Sequence, residues 1–220
     1  MSDLFNFIRC AGTVIAGSIL LAACSDPPDQ ADAMHAFDHV MVGVRDLDSG
    51  ISILEESTGV SAAYGGIHPG RDTRNALLSL GSDRYFELIA PQAGLEEMTD
   101  PIALATVELR TPTPMHWAVA TSNIEVTRRT VMAQGWQTTE VTARSRETPD
   151  GTQLRWRMFF ITDDADAAAI PFFIEWGEDS VHPSQTSPAG CELAKFIVHT
   201  PDRDRIFRLV QSLGLEIDVQ

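Results

Sequence analysis

A short pattern occurs twice in the chain: a histidine at the head of an apolar run. The first copy is "FDHVMVGV", which contains His39, and the second is "PMHWAVA", which contains His116. In the first copy Phe37, His39 and Met41 alternate with three valines, which is typical of a β-strand that buries its valine face in a core. Each histidine therefore opens a predicted strand, and the repetition indicates two copies of one module.

The segments that follow these two strands also correspond. After the first, "RDLDSGISILEESTGV" has helical spacing and stops at Gly59, and the extended runs "SAAYGGIHPG", "TRNALLSLG" and "DRYFELIAP" follow. After the second, "NIEVTRRTVMAQGW" predicts a helix capped by Asn123 and ended by Gly135, followed by the extended runs "TTEVTARSRE", "TQLRWRMFFI" and "IPFFIEWG". Two βαβββ modules of an α+β fold therefore account for residues 36–178.

The last strand of each module carries a glutamate at a matching place, Glu87 in "YFELI" and Glu175 in "FFIEW". These glutamates lie farther apart than the two histidines, and the loop "TDDADAAA" absorbs the difference because surface insertions cost little. A glutamate near a strand end is usually solvated. Among apolar neighbours, however, a buried carboxylate needs a cation or a hydrogen-bond partner.

Residues 179–220 begin the pattern again without completing it. The stretch "ELAKFIVHTPDRDRIFRLVQSLGLEIDV" reads as strand, helix and strand, with Ile206, Leu209 and Leu213 on one helical face. We therefore expect a partial third βαβ unit as a C-terminal extension. Because an unpaired apolar edge invites aggregation, we expect this extension to cover the open edge of the sheet.

The N-terminal segment does not fit the modular pattern. An apolar stretch from Ala11 to Ala23 is too short for a stable transmembrane helix but suits the core of a signal peptide. It ends in "LAAC", which resembles the bacterial lipoprotein box, where the cysteine receives a diacylglycerol. We expect residues 1–23 to be removed, Cys24 to be lipidated and residues 24–35 to form a flexible tether, with a plain secretory signal and an incidental Cys24 as the alternative. Lipidation would anchor the domain to a membrane of the bacterial cell envelope, on its periplasmic side.

Charge and cysteine content narrow the possibilities further. The 220-residue chain has 16 basic and 31 acidic side chains, and its formal net charge of −15 repels a phosphate backbone, so we expect no nucleic-acid partner. If Cys10 leaves with the signal peptide and Cys24 carries lipid, only Cys191 remains. We therefore predict no intramolecular disulfide, with Cys191 as a small core residue.

The order of these strings resembles the vicinal oxygen chelate superfamily, which contains glyoxalase I, extradiol dioxygenases and the fosfomycin and bleomycin resistance proteins. The stretches "FDHVMVGVRDLD", "GGIHPGRDTRNALLSLGSDRYFELIAP" and "IPFFIEW" are more closely similar to the branch called glyoxalase-like domains. The resemblance covers nearly the whole mature domain. It implies that the two modules curve their sheets around one cleft.

The resemblance also implies a metal site in that cleft, formed by His39 and Glu87 of the first module with His116 and Glu175 of the second. Two imidazoles and two carboxylates suit Zn, Ni, Fe(II), Mn or Co, with positions left for water or substrate. A carboxylate that leaves the metal can act as the base, and we favour Glu175 or Glu87 for this role. The alternative for each residue is an ordinary solvated or hydrogen-bonded side chain.

Five further residues are candidates for substrate binding. His68 lies on the turn "GGIHPG", which either borders the cleft or is simply structural. Asn75 and Tyr85 are predicted to point inward, where they bind substrate or support the sheet. Arg155 and Arg157 share one strand face, a fork that suits a carboxylate or phosphate, although such a pair is more often solvated.

Two functions of different class remain open. The first is a metal-dependent lyase or isomerase that chelates a small vicinal-oxygen substrate and transfers a proton at the adjacent carbon; oxygenase chemistry is possible if two histidines and one glutamate bind Fe(II). The second is a binding or sequestering protein of the resistance type, which predicts no metal and an aromatic-lined cleft. The modules pair either within one chain or between two chains of a homodimer.

Overall fold

The computed structural model describes residues 33–95, 97–162 and 168–220, and the backbone of residues 8–10. Nearly all of the predicted signal peptide, the lipidation site Cys24 and most of the predicted tether lie outside these residues, so they stay predictions. Within the described ranges, no helix is both long enough and apolar enough to span a membrane.

The first predicted module is present, preceded by a short strand. That strand, β1 (Ile8–Cys10), lies within the predicted signal peptide and pairs antiparallel with a strand near the C-terminus. The module itself consists of β2 (His35–Gly43), α1 (Leu47–Thr58), β3 (Ala63–Ile67), β4 (Thr73–Ser79) and β5 (Tyr85–Pro91).

The second module repeats this order of elements. A short connecting helix, α2 (Pro101–Val107), comes first; it was not predicted, and Asp100 caps its N-terminus. The module then consists of β6 (Thr113–Thr121), α3 (Ile124–Ala133), β7 (Thr142–Glu147), β8 (Gln153–Phe160) and β9 (Pro171–Trp176).

The strands of both modules form one eight-stranded sheet in the order β3-β4-β5-β2-β6-β9-β8-β7. Strands β2 and β6 lie antiparallel at its centre, and each pairs in parallel with the last strand of its own module. The order is therefore symmetric about the centre, as two copies of one unit require. The predicted α+β fold with tandem βαβββ modules is confirmed.

The two module helices end near the glycines that the sequence indicated. Gly59 follows α1 with a φ of 75°, and Gly135 lies just after α3 with a φ of 88°. Both values are in the left-handed region that favours glycine at helix C-termini. At the start of α3, the Asn123 side chain accepts a hydrogen bond from the backbone N–H of Val126, which confirms the predicted cap.

The sheet curves so strongly that its two edges approach each other. Arg146 on β7 donates a hydrogen bond to the carbonyl of Gly65 on β3. A Cβ atom on Gly65 would lie 2.5 Å from Oδ1 of Asn75 and 2.9 Å from Nη1 of Arg146, so only glycine permits this approach. The predicted curved-sheet cleft is therefore a nearly closed one.

The C-terminal extension consists of α4 (Pro183–Thr186), β10 (Cys191–Leu193), β11 (Ile197–Val198), α5 (Arg203–Ser212) and β12 (Asp218–Val219). Strands β11 and β12 pair in parallel, with α5 between them in sequence, so the partial third βαβ unit is present. Its Phe196 ring lies 4.8 Å from the ring of Phe37 and 5.4 Å from that of Trp117. The extension thus covers the central strands and not an edge, because the two edges already approach each other.

Cys191 lies in this extension and is 7% exposed, within the main core. It is disulfide-bonded in the complete chain, whereas the prediction that it stays unpaired concerns the chain after removal of the signal peptide and stays a prediction. That prediction assumed the loss of Cys10 with the signal peptide, whereas here Cys10 of β1 stands opposite Cys191 of β10 in the strand register.

The apolar core lies between the convex face of the main sheet and helices α1, α3 and α5. Val40 and Val42 of β2 point into it, as predicted. A β-bulge between Phe37 and His39 changes one detail of the predicted alternation, because Asp38 is the extra residue. Phe37 therefore joins the valines in the core, while His39 faces the concave side.

Candidate active site

The concave face of the sheet surrounds a cavity of about 110 Å³. Five of the side chains that line it are aromatic: Tyr85, Trp156, Phe160, Phe172 and Trp176. The polar and charged residues of its lining include His39, His68, Arg71, Asn75, Glu87, Arg144 and Arg146. Such a mixture of apolar walls and a few convergent polar groups is typical of a small-molecule site.

Glu87 on β5 is the centre of the polar group and is 6% exposed. Its Oε1 accepts a hydrogen bond of 2.6 Å from the Asn75 amide. Its Oε2 lies 3.5 Å from Nε2 of His39, and its Oε1 lies 3.6 Å from Nε2 of His68. Strand alternation on β2, β4 and β5 brings three of these side chains to one face, as predicted for His39, Asn75 and Glu87.

His39 is held from its other side by a buried carboxylate. Its Nδ1 lies 2.5 Å from Oδ1 of Asp38, which is fully buried. The other oxygen, Oδ2, accepts hydrogen bonds from Nε1 of Trp176 at 2.9 Å and from Nε2 of His182 at 3.1 Å. Burial alone raises the pKa of Asp38, but the hydrogen bonds from His182 and His39 outweigh it and lower the pKa to about 2. Asp38 is therefore an anion, and it orients His39 so that Nε2 faces the cavity.

His182 precedes α4 in the C-terminal extension, and its hydrogen bonds define its tautomer. The backbone N–H of Ser184 donates to Nδ1 of His182 at 3.2 Å, so the ring proton is on Nε2 and points at Asp38. Sequence reasoning missed Asp38 and His182. The strand pattern gave no sign of the bulge that places Asp38 beside His39, and no local pattern connects His182 to the first module.

His68 and Tyr85 complete the first-module side of the cavity. Nδ1 of His68 is hydrogen-bonded to Oγ1 of Thr73 at 2.8 Å, and burial lowers the pKa of His68 below its ordinary value. The Tyr85 ring stacks on His39 at 4.3 Å, and burial raises the pKa of its phenol well above the ordinary value. The phenol therefore keeps its proton and can act as a hydrogen-bond donor.

Glu175 does not join this group, which corrects the prediction. It lies on the outer face of β9, where Nε of Arg157 donates to its Oε2 at 2.8 Å and the backbone N–H of Ile124 donates to its Oε1 at 3.3 Å. The strand register explains the error. In the first module, Glu87 of β5 pairs with Met41 of β2. The equivalent position in the second module, paired with Ala118 of β6, is occupied by Phe172 of β9. Glu175 lies three residues farther on, and an odd shift along a strand reverses the face.

His116 is on β6, in register with Met41. Its ring centroid lies 6.3 Å from that of Phe160 and 6.4 Å from that of Phe172. The structure therefore brings together His39 and Glu87, but not the predicted set of four. Within residues 33–95, 97–162 and 168–220, no group of three or more His, Cys, Asp or Glu side chains is arranged to hold a metal ion. The donors do not fit the predicted four-ligand metal site.

The predicted arginine fork also lies outside the cavity. Arg155 and Arg157 alternate with Trp156 and therefore lie on the outer face of β8, where Arg157 is paired with Glu175. A different pair lines the cavity: Arg144 and Arg146 on the neighbouring strand β7. In the sequence "TARSRE" these two arginines also alternate along a strand. Their spacing is the same as that of Arg155 and Arg157, so the sequence does not show which pair faces the cavity.

Comparison with known proteins identifies the family. A family model described as a glyoxalase-like domain matches residues 37–214. The chain belongs to this family. The glyoxalase-like domain thus includes both βαβββ modules and most of the C-terminal extension, and this result supports the expected superfamily. No curated protein matches the chain.

Solved structures share the fold of this glyoxalase-like domain at low sequence identity. A hypothetical protein from Staphylococcus aureus has a TM-score of 0.60 and 18% identity, covering 82% of this chain and 75% of its own. A methylmalonyl-CoA epimerase in complex with methylmalonyl-CoA and NH4+ has a TM-score of 0.50 and 14% identity, covering 67% and 98%. The methylmalonyl-CoA epimerase from Mycobacterium tuberculosis has a TM-score of 0.46 and 23% identity, covering 64% and 85%. The first two similarities show the fold, and the reaction must be argued from the site.

Proposed function

We propose that this glyoxalase-like domain is an isomerase- or lyase-type enzyme that moves a proton at the carbon next to a carbonyl group. The observation that supports the proposal is the pair formed by Glu87 and His39, whose reactive atoms Oε2 and Nε2 face each other at 3.5 Å in the cavity wall. A carboxylate and an imidazole are the side chains that most often transfer protons in enzymes.

Glu87 is the proposed base. Asn75 holds its Oε1, so Oε2 is the oxygen that remains to accept a proton. Oε2 takes the proton from the substrate carbon, the C–H electron pair forms a C=C bond, and the carbonyl π electrons move to oxygen to give an enolate. Return of a proton to carbon restores the carbonyl group. Return to the same face of the same carbon gives exchange, return to the opposite face gives epimerisation, and return to a different carbon gives isomerisation.

His39 is the proposed partner of the base. In the tautomer that donates its Nδ1 proton to Asp38, Nε2 presents a lone pair to the cavity. Nε2 can therefore receive the proton that Glu87 has taken and return it at a second position. The neutral Tyr85 phenol stacks on this ring and can donate to the enolate oxygen.

The cavity limits the substrate to a small molecule. Its volume of about 110 Å³ is far below the ~300–1,000 Å³ of pockets that enclose drug-sized ligands. One solved neighbour is an epimerase bound to methylmalonyl-CoA, whose acidic carbon also lies next to a carbonyl group. A complete CoA ester does not fit inside the present cavity, so we propose a compact oxygenated substrate with vicinal oxygens.

The chelation step of the sequence-based hypothesis is not part of this proposal. Glu175 lies on the outer face, so the four predicted donors do not surround one point. Every proton transfer proposed above therefore uses the chain's own side chains.

A second candidate function is binding without turnover. The aromatic lining, with the Trp156 and Trp176 ring centroids 5.7 Å apart, is the feature that a sequestering protein was expected to show. Both candidates require that the cavity binds a ligand, but they differ in whether bound ligand exchanges its protons.

The test is proton exchange in D2O, followed by NMR, with pyruvate, 2-oxobutyrate, dihydroxyacetone and acetoin as probes. We expect the protein to accelerate loss of the C–H signal next to the carbonyl group for at least one probe. Glu87→Gln should slow this exchange by about 100-fold or more, because it removes the base. Glu175→Gln is the matched control and should leave the rate unchanged. Exchange that survives in Glu87→Gln refutes the proposal, and binding without exchange favours the sequestering function.

We also propose that the domain is a lipid-anchored protein of the cell envelope. The support is the string "LAAC" directly after the apolar stretch that ends at Ala23. Mass spectrometry of the N-terminal peptide tests this proposal, since a diacylglycerol-modified Cys24 has a distinctive mass.

A further inference from the structure

The cavity wall contains a buried arginine that forms no direct ion pair with any described carboxylate. Arg146 is 4% exposed, and its Nη1 donates to the carbonyl of Gly65 and, at 3.3 Å, to Oδ1 of Asn75. Both acceptors are neutral. Among the described residues, no Asp or Glu forms an ion pair with Arg146, whereas the third arginine of the lining, Arg71, is paired with Asp100. Glu87 attracts Arg146 across Asn75 but burial still lowers the pKa of Arg146, so the buried charge is compensated only in part and an anionic ligand can supply the missing ion pair.

Arg144 extends the same positive surface toward solvent. It lies two residues before Arg146 on β7, lines the same cavity and is exposed. No ion pair of Arg144 occurs within the described part of the chain. Two unpaired guanidinium groups in one cavity stand out in a chain with 31 acidic and 16 basic side chains. Acidic side chains are plentiful on this protein, yet none in the described ranges forms an ion pair with either of these arginines.

Asn75 connects the arginine to the proposed base. Its Oδ1 accepts from Arg146, and its amide nitrogen donates to Oε1 of Glu87 at 2.6 Å. One short side chain therefore separates the guanidinium from the carboxylate. An anionic group held by Arg146 places the neighbouring atoms of the same small molecule next to Glu87.

We infer that Arg146, assisted by Arg144 at the solvent-facing part of the cavity, binds a carboxylate of the substrate, and that the substrate is a small acid with a carbonyl next to that carboxylate. This inference rests on the proposed function for the position of the reactive carbon. A planar guanidinium matches a planar carboxylate with two hydrogen bonds, and the small cavity favours a carboxylate over a phosphate ester.

Binding of pyruvate, compared with its neutral amide pyruvamide, tests the inference. Saturation-transfer NMR and calorimetry on the full chain should show that pyruvate binds about 10-fold or more tightly, since charge-assisted hydrogen bonds are lost in the amide. Arg144→Gln, an exposed substitution that does not threaten folding, should weaken pyruvate binding and leave pyruvamide binding unchanged. Arg146→Lys keeps the charge and should retain part of the preference, which Arg146→Gln should abolish.

The matched control is Arg155→Gln, on the outer face of the neighbouring strand, which should bind pyruvate like the unmodified protein. Equal binding of pyruvate and pyruvamide overturns the inference, as does failure of both pyruvate and 2-oxobutyrate to bind. Inorganic phosphate that competes as well as pyruvate also overturns it. Selective pyruvate binding without proton exchange supports the carboxylate site and refutes the proposed reaction. Proton exchange in pyruvamide as fast as in pyruvate supports the proposed reaction and refutes the carboxylate site.

Discussion

Nε2 of His182 lies 3.1 Å from Oδ2 of Asp38, although 144 positions separate the two residues in sequence. Through this contact the C-terminal extension reaches the carboxylate that orients His39. Asp38 thus receives hydrogen bonds from the first module, from Trp176 at the end of the second module and from the extension. Three parts of the chain therefore contact the carboxylate that orients His39.

His182→Ala is expected to destabilise the fold and slow proton exchange together. A hydrogen bond to a charged group contributes about 1.5–3 kcal/mol, so the free energy of unfolding should fall by about that amount. Denaturant titration measures the loss, and D2O exchange measures the rate. His182→Gln can place an N–H near Asp38 and should recover part of both losses, while the exposed neighbour Val181→Ala serves as control. A variant as stable and as fast as the unmodified protein would show that this contact is dispensable.

Asp38 should make the protein sensitive to acid below its ordinary pKa. Its folded pKa of about 2 is lower than the ordinary 3.8, so the unfolded chain binds the proton more readily between these values. Stability from this group is complete above pH 3.8 and is lost as the pH falls toward 2. The full loss is about 2 kcal/mol. Unfolding measured at a series of acidic pH values should show this slope, and Asp38→Asn should be less stable at neutral pH and lack the slope.

His68 should produce a separate dependence at milder pH. Burial lowers its folded pKa below the ordinary 6.5, so the unfolded chain takes up the proton first as the pH falls. The free energy of unfolding should therefore decrease as the pH falls from 6.5 toward the folded pKa. His35, whose pKa is also lowered by burial, contributes in the same direction. His68→Gln should reduce the slope in this window, and an unchanged slope would assign the dependence to His35 or other groups.

Glu175→Gln should cost little. Its partner Arg157 is 42% exposed in the side chain, and surface ion pairs of this kind contribute about 0–1 kcal/mol. We expect a decrease of less than about 1 kcal/mol in the free energy of unfolding, screened by salt, and no change in ligand binding. Loss of exchange activity in this variant would restore Glu175 to the catalytic group and contradict the assignment of its face.

Cys24→Ser should release the protein from membranes. If Cys24 carries a diacylglycerol, the variant loses the lipid and should move from the membrane fraction to the soluble fraction. Cell fractionation with detection of the full chain measures the change. A protein that is soluble both with and without this substitution would support the plain secretory signal.

The fold was predictable because local patterns repeat. Helical spacing closed by Gly59 and Gly135, and strand runs separated by turn residues, were sufficient to predict both modules. The same alternation placed Asn75 and Glu87 in the cavity, since β4 and β5 are regular there.

The remainder of the site depends on features that a single sequence does not record. The bulge at Asp38 adds one residue to β2, so the residues before and after it do not alternate as expected. Glu175 lies three residues after Phe172, an odd number, and its side chain therefore points to the opposite face of the sheet. Arg144 and Arg155 occupy strands with similar composition, and the strand register decides which one meets the cavity, because Arg144 stands opposite the cavity-lining Trp156. The contact of His182 with Asp38 is set by the packing of the extension and not by any neighbour in sequence.

The near closure of the sheet brings together two halves that share a topology but no longer share a chemistry. The first half contributes His39, His68, Asn75, Tyr85 and Glu87, and the second contributes mainly aromatic rings and the guanidinium groups of Arg144 and Arg146. Neither half contains a complete site, so the two halves have different roles in the cavity. A protein built from two copies of one half would keep the architecture. Two copies of the first half would have two sets of acid–base groups but lack Arg144 and Arg146, and two copies of the second half would bind a ligand but lack the acid–base groups.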